Sequence, residues 1–373
     1  LTYYKSESAY SYYFNNKPNS GVRLAVIGNP NLSWESQYDK NIGLDFGLFD
    51  NRFGGSIDVY ERTIKNRIGN KSLMSFQEVR ELNYNTKRID KTTGMDLTLY
   101  AVPVSTTDFE WNTRFTLTYY RDKTTKRDPS QVLDIQDAPQ YTWNDKWFHI
   151  SDGLLQPGEV NPGQLETDRR AGEVKIKDVN GYLRDKMGNK IYDENGRPMY
   201  SNMPDGIIDN ADLVMKYNNT PIPFSWTNNF RWKGFDLGIS MYGKFHQWKG
   251  NDKKTGANPE TLLSGGNTLV YVKDQYSYDN LDSQVPSFRF WQHGGVGYGD
   301  FFVEKAWYIR IDNITLGYTL PKKWIRGIFS SVRFYGSMKN IATITPYKGA
   351  DPEYDIYLYP STSSFTFGVD IKF

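Results

Sequence analysis

Along most of the chain, apolar and polar residues alternate with a period of two. Tyr38, Lys40, Ile42, Leu44, Phe46 and Leu48 share one parity, and Gln37, Asp39, Asn41, Gly43, Asp45 and Gly47 share the other. Side chains of an extended strand point alternately to opposite faces, so this spacing predicts a strand with one apolar and one wet face. A turn at Asp50-Asn51 sends the chain back, and Phe53, Ile57 and Val59 against Ser56, Asp58 and Tyr60 predict the second strand of a hairpin. The pattern recurs in Met95, Leu97, Leu99 and Ala101, and in Trp111, Phe115, Leu117 and Tyr119. It returns in Phe224, Trp226, Phe230 and Trp232, then in Phe235, Leu237, Ile239, Met241 and Phe245. Trp307, Ile309 and Ile311 lie on one parity and Ile314, Leu316 and Tyr318 on the other, so a β-bulge is expected near Asn313. Val332, Phe334 and Met338, then Phe365, Phe367, Val369, Ile371 and Phe373, predict the last two strands.

The connections alternate as well. Short ones (50–51, 103–108, 234, 320–327) interleave with long ones (about 68–88, 122–223, 248–298 and 342–361). Short turns at one end and long loops at the other are the asymmetry of outer-membrane barrels, whose turns face the periplasm. Placing Phe373 at the periplasmic end and counting back gives nine wall strands: 37–49, 52–67, 89–102, 109–121, 224–233, 235–247, 299–319, 328–341 and 362–373. The strand-like run Tyr141–Ile150 would break that parity and is assigned to the outer loop. The Tyr-rich residues 1–27 are expected to supply one or two more strands.

Composition narrows the class without changing this picture. There are 45 Lys+Arg against 43 Asp+Glu, unclustered, so nucleic acid is not expected as a partner. Zero cysteines exclude disulfides, thiol nucleophiles and thiolate-bound metals, and His149, His246 and His293 form no close ligand pair. A mean hydropathy of −0.66 and no apolar run near 18 residues exclude a helical membrane protein, whereas a barrel, with only alternate residues facing lipid, looks soluble by this measure. The start at Leu1, without an initiator Met or signal peptide, predicts a piece of a longer protein. So does the strand count: a wall of nine to eleven strands leaves open edges, and unpaired backbone groups in lipid cost several kcal/mol each.

Several phrases resemble a known family. Asn29-Pro30-Asn31-Leu32-Ser33-Trp34-Glu35, Asn41 to Gly47 (NIGLDFG) and Asp58-Val59-Tyr60 resemble a block of SusC/RagA-type TonB-dependent transporters. Lys233-Gly234-Phe235-Asp236-Leu237, Tyr308 to Tyr318, Lys339-Asn340, Gly349 to Glu353, Tyr359-Pro360 and the terminal Phe-Gly-Val-x-Ile-x-Phe follow in family order. The resemblance implies an all-β fold, a transmembrane antiparallel β-barrel of which residues 1–373 would be the C-terminal portion, about 9–11 of about 22 strands. Residues 122–223 would be a large extracellular loop region, and the N-terminal plug domain would lie outside this chain. It further implies the outer membrane of a Gram-negative, Bacteroidota-type bacterium. The protein would be a non-enzymatic importer of oligosaccharides or peptides, with energy relayed by the TonB complex and a SusD-like surface lipoprotein capping the barrel. Other expected partners are the plug, outer-membrane lipid and the barrel-assembly machinery. Terminal Phe373 resembles the signal that machinery reads.

Candidate site residues lie in the long loops. Asp178-x-Asn180-Gly181 opens like a calcium loop and Asp205-Gly206-Ile207-Ile208-Asp209-x-x-Asp212 closes like one, with Tyr182 to Pro204 between. Transporters of the family it resembles commonly carry the phrase uninterrupted, so a structural Ca2+ requires the insert to fold as a hairpin around Met187-Gly188-Asn189 that keeps its ends together. The plainer reading is a polar loop with turn-forming Asp, Asn and Gly. Trp143, Trp147, Trp291, Tyr357 and Tyr359 are candidate substrate contacts, because flat rings stack on sugars and pack on peptide side chains. Loop packing and an interfacial girdle use the same residues. No carboxylate pair has a spacing that enforces glycosidase geometry. A soluble or surface-attached β-rich glycan-binding or adhesion protein is the alternative, but it requires neither a lipid-facing belt nor one-sided loops.

Overall fold

The computed structural model describes residues 3–14, 17–26, 28–72, 81–126, 146–161, 163–164, 170–194, 198–217, 220–255, 265–288, 290, 299–325, 327, 329–354, 358–359 and 361–373. A hairpin of β1 (Tyr3–Phe14) and β2 (Lys17–Val26) comes first, followed by β3 (Ser36–Leu48) and β4 (Phe53–Lys65). Then come β5 (Ile68–Ser72), β6 (Glu81–Asn85), β7 (Ile89–Ser105) and β8 (Phe109–Lys126). The next long connection holds β9 (Lys146–Phe148), β10 (Ser151–Leu154), β11 (Val174–Ile176) and β12 (Val214–Tyr217). β13 (Ile222–Trp232) and β14 (Phe235–Phe245) follow, then β15 (Trp248–Gly250) and β16 (Val303–Lys305). The chain closes with β17 (Tyr308–Thr319), β18 (Ser331–Ile344) and β19 (Ser364–Lys372).

Nine of these strands form one antiparallel sheet in the order β19-β18-β17-β14-β13-β8-β7-β4-β3, the nine wall strands that the alternation predicts. The sheet is open, with β3 and β19 as its edges. Among the described residues β1 and β2 pair only with each other, so the N-terminal residues do form strands but stand apart from this sheet. Several strand boundaries differ from expectation: β8 runs on to Lys126, and β17 begins only at Tyr308 because Val303–Lys305 pairs with β15 outside the wall. β7 continues through Pro103 to Ser105, because a register shift between Ala101 and Val104 absorbs the proline that cannot donate to the ladder. The phase flip near Asn313 is a register shift on both sides of β17, between Ile311 and Asn313 toward β18 and opposite Ser240/Met241 toward β14.

The register carries one apolar row outward from strand to strand. Leu97 faces Ile57 and Leu117, Ile239 faces Ile314, and Ile314 faces Met338. Ile42 is 81% exposed and Phe367 86% exposed, values that water would penalise and lipid would not. Aromatic contacts cluster toward the two ends of the strands. Trp111–Phe230 (5.6 Å) and Phe235–Tyr318 (4.5 Å) lie by the short turns, and Phe224–Phe245 (4.5 Å) lies by the long loops. Asn228 falls on the outward parity and is 5% exposed, its Oδ1 accepting from Trp111 Nε1 at 3.1 Å. The opposite face is polar: Thr116 bonds Ser225 (2.7 Å), and Arg231 grips Glu110 with two bonds of 2.9 Å. Glycine is required there where a tyrosine lies flat on the neighbouring strand, since a Cβ on Gly94 would stand 2.4 Å from the Tyr60 ring.

Candidate functional site at the long-loop end

The long connections pack into a body with its own core at one end of the sheet. β9 pairs with β12, β10 with β11 and β15 with β16, each a short ladder outside the wall. Leu154, Val174, Ile176, Tyr276, Phe290 and Phe302 form a buried cluster, with Ala171, Ile208 and Phe301 packed against it. Its members come from both the β8–β13 and the β14–β17 connections, so burial of apolar area fixes two loops to each other.

The β18–β19 connection is fixed differently, by charge. Arg310, on the polar parity of β17, is 3% exposed and holds Asp351 with two bonds of 3.0 and 2.8 Å. Its Nη1 lies 3.3 Å from Glu353, whose Oε2 also accepts from Tyr242 Oη at 3.0 Å. Asp351 Oδ1 in turn accepts from the Glu353 and Tyr354 amides at 2.8 and 3.2 Å. A second anchor lies beside it. Asp252 Oδ1 accepts from the Ala350 amide (3.1 Å), Glu304 accepts from the Lys348 amide (3.0 Å) and from Lys254 (2.9 Å), and Tyr347 Oη donates to the Gly250 carbonyl (2.7 Å). Burial alone would raise the Asp252 and Glu304 carboxyls, but these donors outweigh it and hold both below their ordinary range. Gly349 is wedged on the Tyr347 ring, where a Cβ would stand 2.2 Å from a ring carbon.

The acidic loop keeps its ends together. Bridges Tyr182–Tyr200, Arg184–Lys190 and Tyr192–Pro198 close the insert, with its tight turn at Asp185–Asn189. Fully buried Asp212 accepts from the Val179 and Asn180 amides (2.8 and 3.1 Å) and from the Asp209 amide (2.9 Å). Burial pushes the Asp212 carboxyl up, against those amide bonds, and the charge of Asp178 adds to the rise. Asp178 Oδ2 accepts from the Gly206 amide (2.6 Å), and its Oδ1 is buried without a hydrogen-bond partner. Asn180 Oδ1 accepts from the Gly181 and Asn202 amides (2.9 Å each). Asp205 takes the Ile207 amide (3.0 Å), and Asp209 takes the Ala211 amide (2.8 Å) and stands 3.9 Å from Arg184. Amides thus satisfy most of these oxygens, and among the described residues no three His, Cys, Asp or Glu side chains converge as a ready-made metal site. Asp178 Oδ1 is the buried oxygen of the loop that these amides leave without a partner.

Of the candidate aromatic contacts, Trp143, Trp291 and Tyr357 lie outside the described residues. Trp147 is half-buried in the β9–β12 pair opposite Met215, and Tyr359 stands 85% exposed on the last loop. Phe373 is 88% exposed at the short-turn end and lies 5.3 Å from Phe329. Arg310, Asp351 and Glu353 stand in the quoted family phrases, but neither they nor Tyr242 were read as a site. The available signal was an arginine on the polar parity of a wall strand, with two acids in the loop one strand further on.

A family model described as "TonB dependent receptor-like, beta-barrel" matches residues 2–185. The TonB-dependent receptor SusC of Bacteroides thetaiotaomicron is 26% identical over 92% of this chain and 32% of its own length. A TonB-dependent receptor of Formosa agariphila is 24% identical over 95% of this chain and 36% of its own. The structure of the RagAB peptide transporter superposes on 100% of this chain and 38% of its own, with a TM-score of 0.72 at 21% identity. Over nearly its whole length the chain is similar to the barrel of SusC/RagA-type TonB-dependent transporters. It spans about a third of the length of the curated relatives it matches, which are TonB-dependent receptors, a non-enzyme family.

Proposed function

We propose that this stretch of barrel serves an outer-membrane importer driven through TonB, taking up oligosaccharides or peptides beneath a SusD-like surface lipoprotein. The observation that carries the reading is the segregation of features on one sheet. An apolar face turns outward and a polar face inward, short turns lie at one end, and at the other the long connections build a packed, clamped body. Exposed Tyr359 and half-buried Trp147 stand at the mouth, where a captured substrate and a capping partner would meet the wall. The peptide class has a precedent in RagAB, a peptide transporter, and SusC is a TonB-dependent receptor. The same reading gives the acidic loop a structural Ca2+, held through Asp178 Oδ1 and bracing the insert. Tagging the full-length protein in its host, extracting outer membranes in mild detergent and identifying what co-purifies tests the proposal. A stoichiometric lipoprotein supports it, a lone barrel overturns the capped arrangement, and recovery in the soluble fraction overturns the membrane reading.

A further inference from the structure

We propose a specific site for an anionic phospholipid on the outward face of the last three wall strands, with an acyl chain over Gly336 and the phosphate at Lys322 and Lys323. The inference rests on the membrane reading above. Across β17, β18 and β19 the register sets Leu316, Gly336 and Phe367 in one outward row. Glycine contributes no side chain to that row, which leaves a groove of about 450 Å3 lined by Phe235, Leu316, Tyr318, Phe334, Phe367 and Val369. Its walls are apolar and open outward, so a hydrocarbon chain fits them and a hydrated ligand does not.

Depth agrees with one leaflet. Gly336 lies five residues from Ser331, where β18 begins at the short-turn end, or roughly 17 Å along a strand. At a barrel tilt near 45° that is a depth of roughly 12 Å, inside the near half of a hydrocarbon core about 30 Å thick.

Charge identifies the headgroup. The β17–β18 turn carries Lys322 and Lys323 within five residues of Tyr318, next to Trp324, which is 61% exposed and suited to the headgroup level. Both lysines are exposed, and neither forms an ion pair among the described residues. Cations on the other short turns are engaged: Lys233 lies 3.5 Å from Asp108, and Arg52 bonds the carbonyls of Val102 and Pro103. A second outward groove, also about 450 Å3 and lined by Phe53, Leu99, Ala101, Trp111, Phe115 and Trp226, has at the neighbouring short turns only these engaged cations among the described residues. It serves as an internal control, open to acyl chains without a headgroup preference.

The test uses full-length protein recovered from the outer-membrane fraction, so that failure of the membrane reading is seen first and separately. The protein is stripped of lipid in mild detergent, and native mass spectrometry follows retention of added phosphatidylglycerol, phosphatidylcholine or glycerol phosphate. Phosphatidylglycerol is expected to be retained about tenfold over phosphatidylcholine, and glycerol phosphate not at all. Lys322→Ala with Lys323→Ala should bring the ratio near one. Gly336→Leu should cut retention of both lipids, while Ala101→Leu in the control groove should leave the ratio unchanged. Heat-modifiable migration on gels verifies that each variant is folded. Equal retention of the two phospholipids, indifference to Gly336→Leu in a folded variant, or binding of glycerol phosphate as well as of lipid would each overturn the proposal.

Discussion

Removing the Arg310 guanidinium should release one segment of the last long loop and leave its neighbour in place. In Arg310→Ala, Asp351 and Glu353 lose the cation that compensates them, and breaking a buried pair from one side costs about 3–5 kcal/mol. Asp351 and Glu353 keep about a fifth of their side-chain surface in solvent, which places the expected cost at the lower end, about 3 kcal/mol. At 1.4 kcal/mol per factor of ten, that is about a hundredfold rise in local opening. Hydrogen exchange of the detergent-solubilised barrel, read by mass spectrometry, resolves where it occurs. The Glu353 and Tyr354 amides donate to Asp351 and should exchange about a hundredfold faster. The Lys348 and Ala350 amides donate to Glu304 and Asp252 and should change less than threefold. Adding Asp351→Asn and Glu353→Gln removes the stranded charges and should recover much of the protection. Unchanged exchange at Glu353 and Tyr354, or equal acceleration across 348–354, would refute the clamp.

Three further expectations follow from the loop end and the C-terminus. Asp252 and Glu304 are held below their ordinary values of 3.8 and 4.5, so their bonds to loop 345–354 are fully present above about pH 5 and are lost as pH falls through the depressed values. Exchange at Lys348 and Ala350 should therefore be flat from pH 7 to 5, after correction for intrinsic rate, and rise below about pH 4. Ca2+ at millimolar concentration should slow proteolysis within 182–204 several-fold and Asp178→Asn should abolish the effect; equal cleavage with Ca2+ and with chelator would leave an amide-capped turn. Phe373→Ser should lower the amount of barrel in outer membranes several-fold while shifting the unfolding temperature of the recovered fraction by less than a few degrees, because the ring touches little beyond Phe329.

The wall was legible in the sequence because one apolar and one polar face impose a period of two on each of its nine strands. Even the parity flip at Asn313 appears as a bulge. Pro103 misled the boundary of β7 because the bulge that accommodates it is a tertiary feature. The loop end was far less legible. Its ladders are three or four residues long and pair across large separations, as Trp147 with Met215, so they leave no periodic trace. Arg310 meets Asp351 across 41 positions, and nothing local distinguishes that arginine from other polar-face charges. The acidic phrase announced its turns, but the orphaned Asp178 oxygen emerges only once the insert has closed. β1 and β2 were legible as strands but not in their pairing, because alternation specifies faces and not neighbours.

In the proposed arrangement the nine-stranded sheet spans the outer membrane with its long loops outside. Because these residues contain no cysteine, single cysteines at Met187, Tyr359, Asn51 and Thr107 of the full-length protein can be probed in intact cells with a membrane-impermeant maleimide. Met187 and Tyr359 should label at once, and Asn51 and Thr107 only after the outer membrane is permeabilised. Labelling of Asn51 and Thr107 in intact cells, with Met187 and Tyr359 protected, would contradict the orientation, and equal labelling of all four in a soluble fraction would contradict the membrane-spanning wall itself.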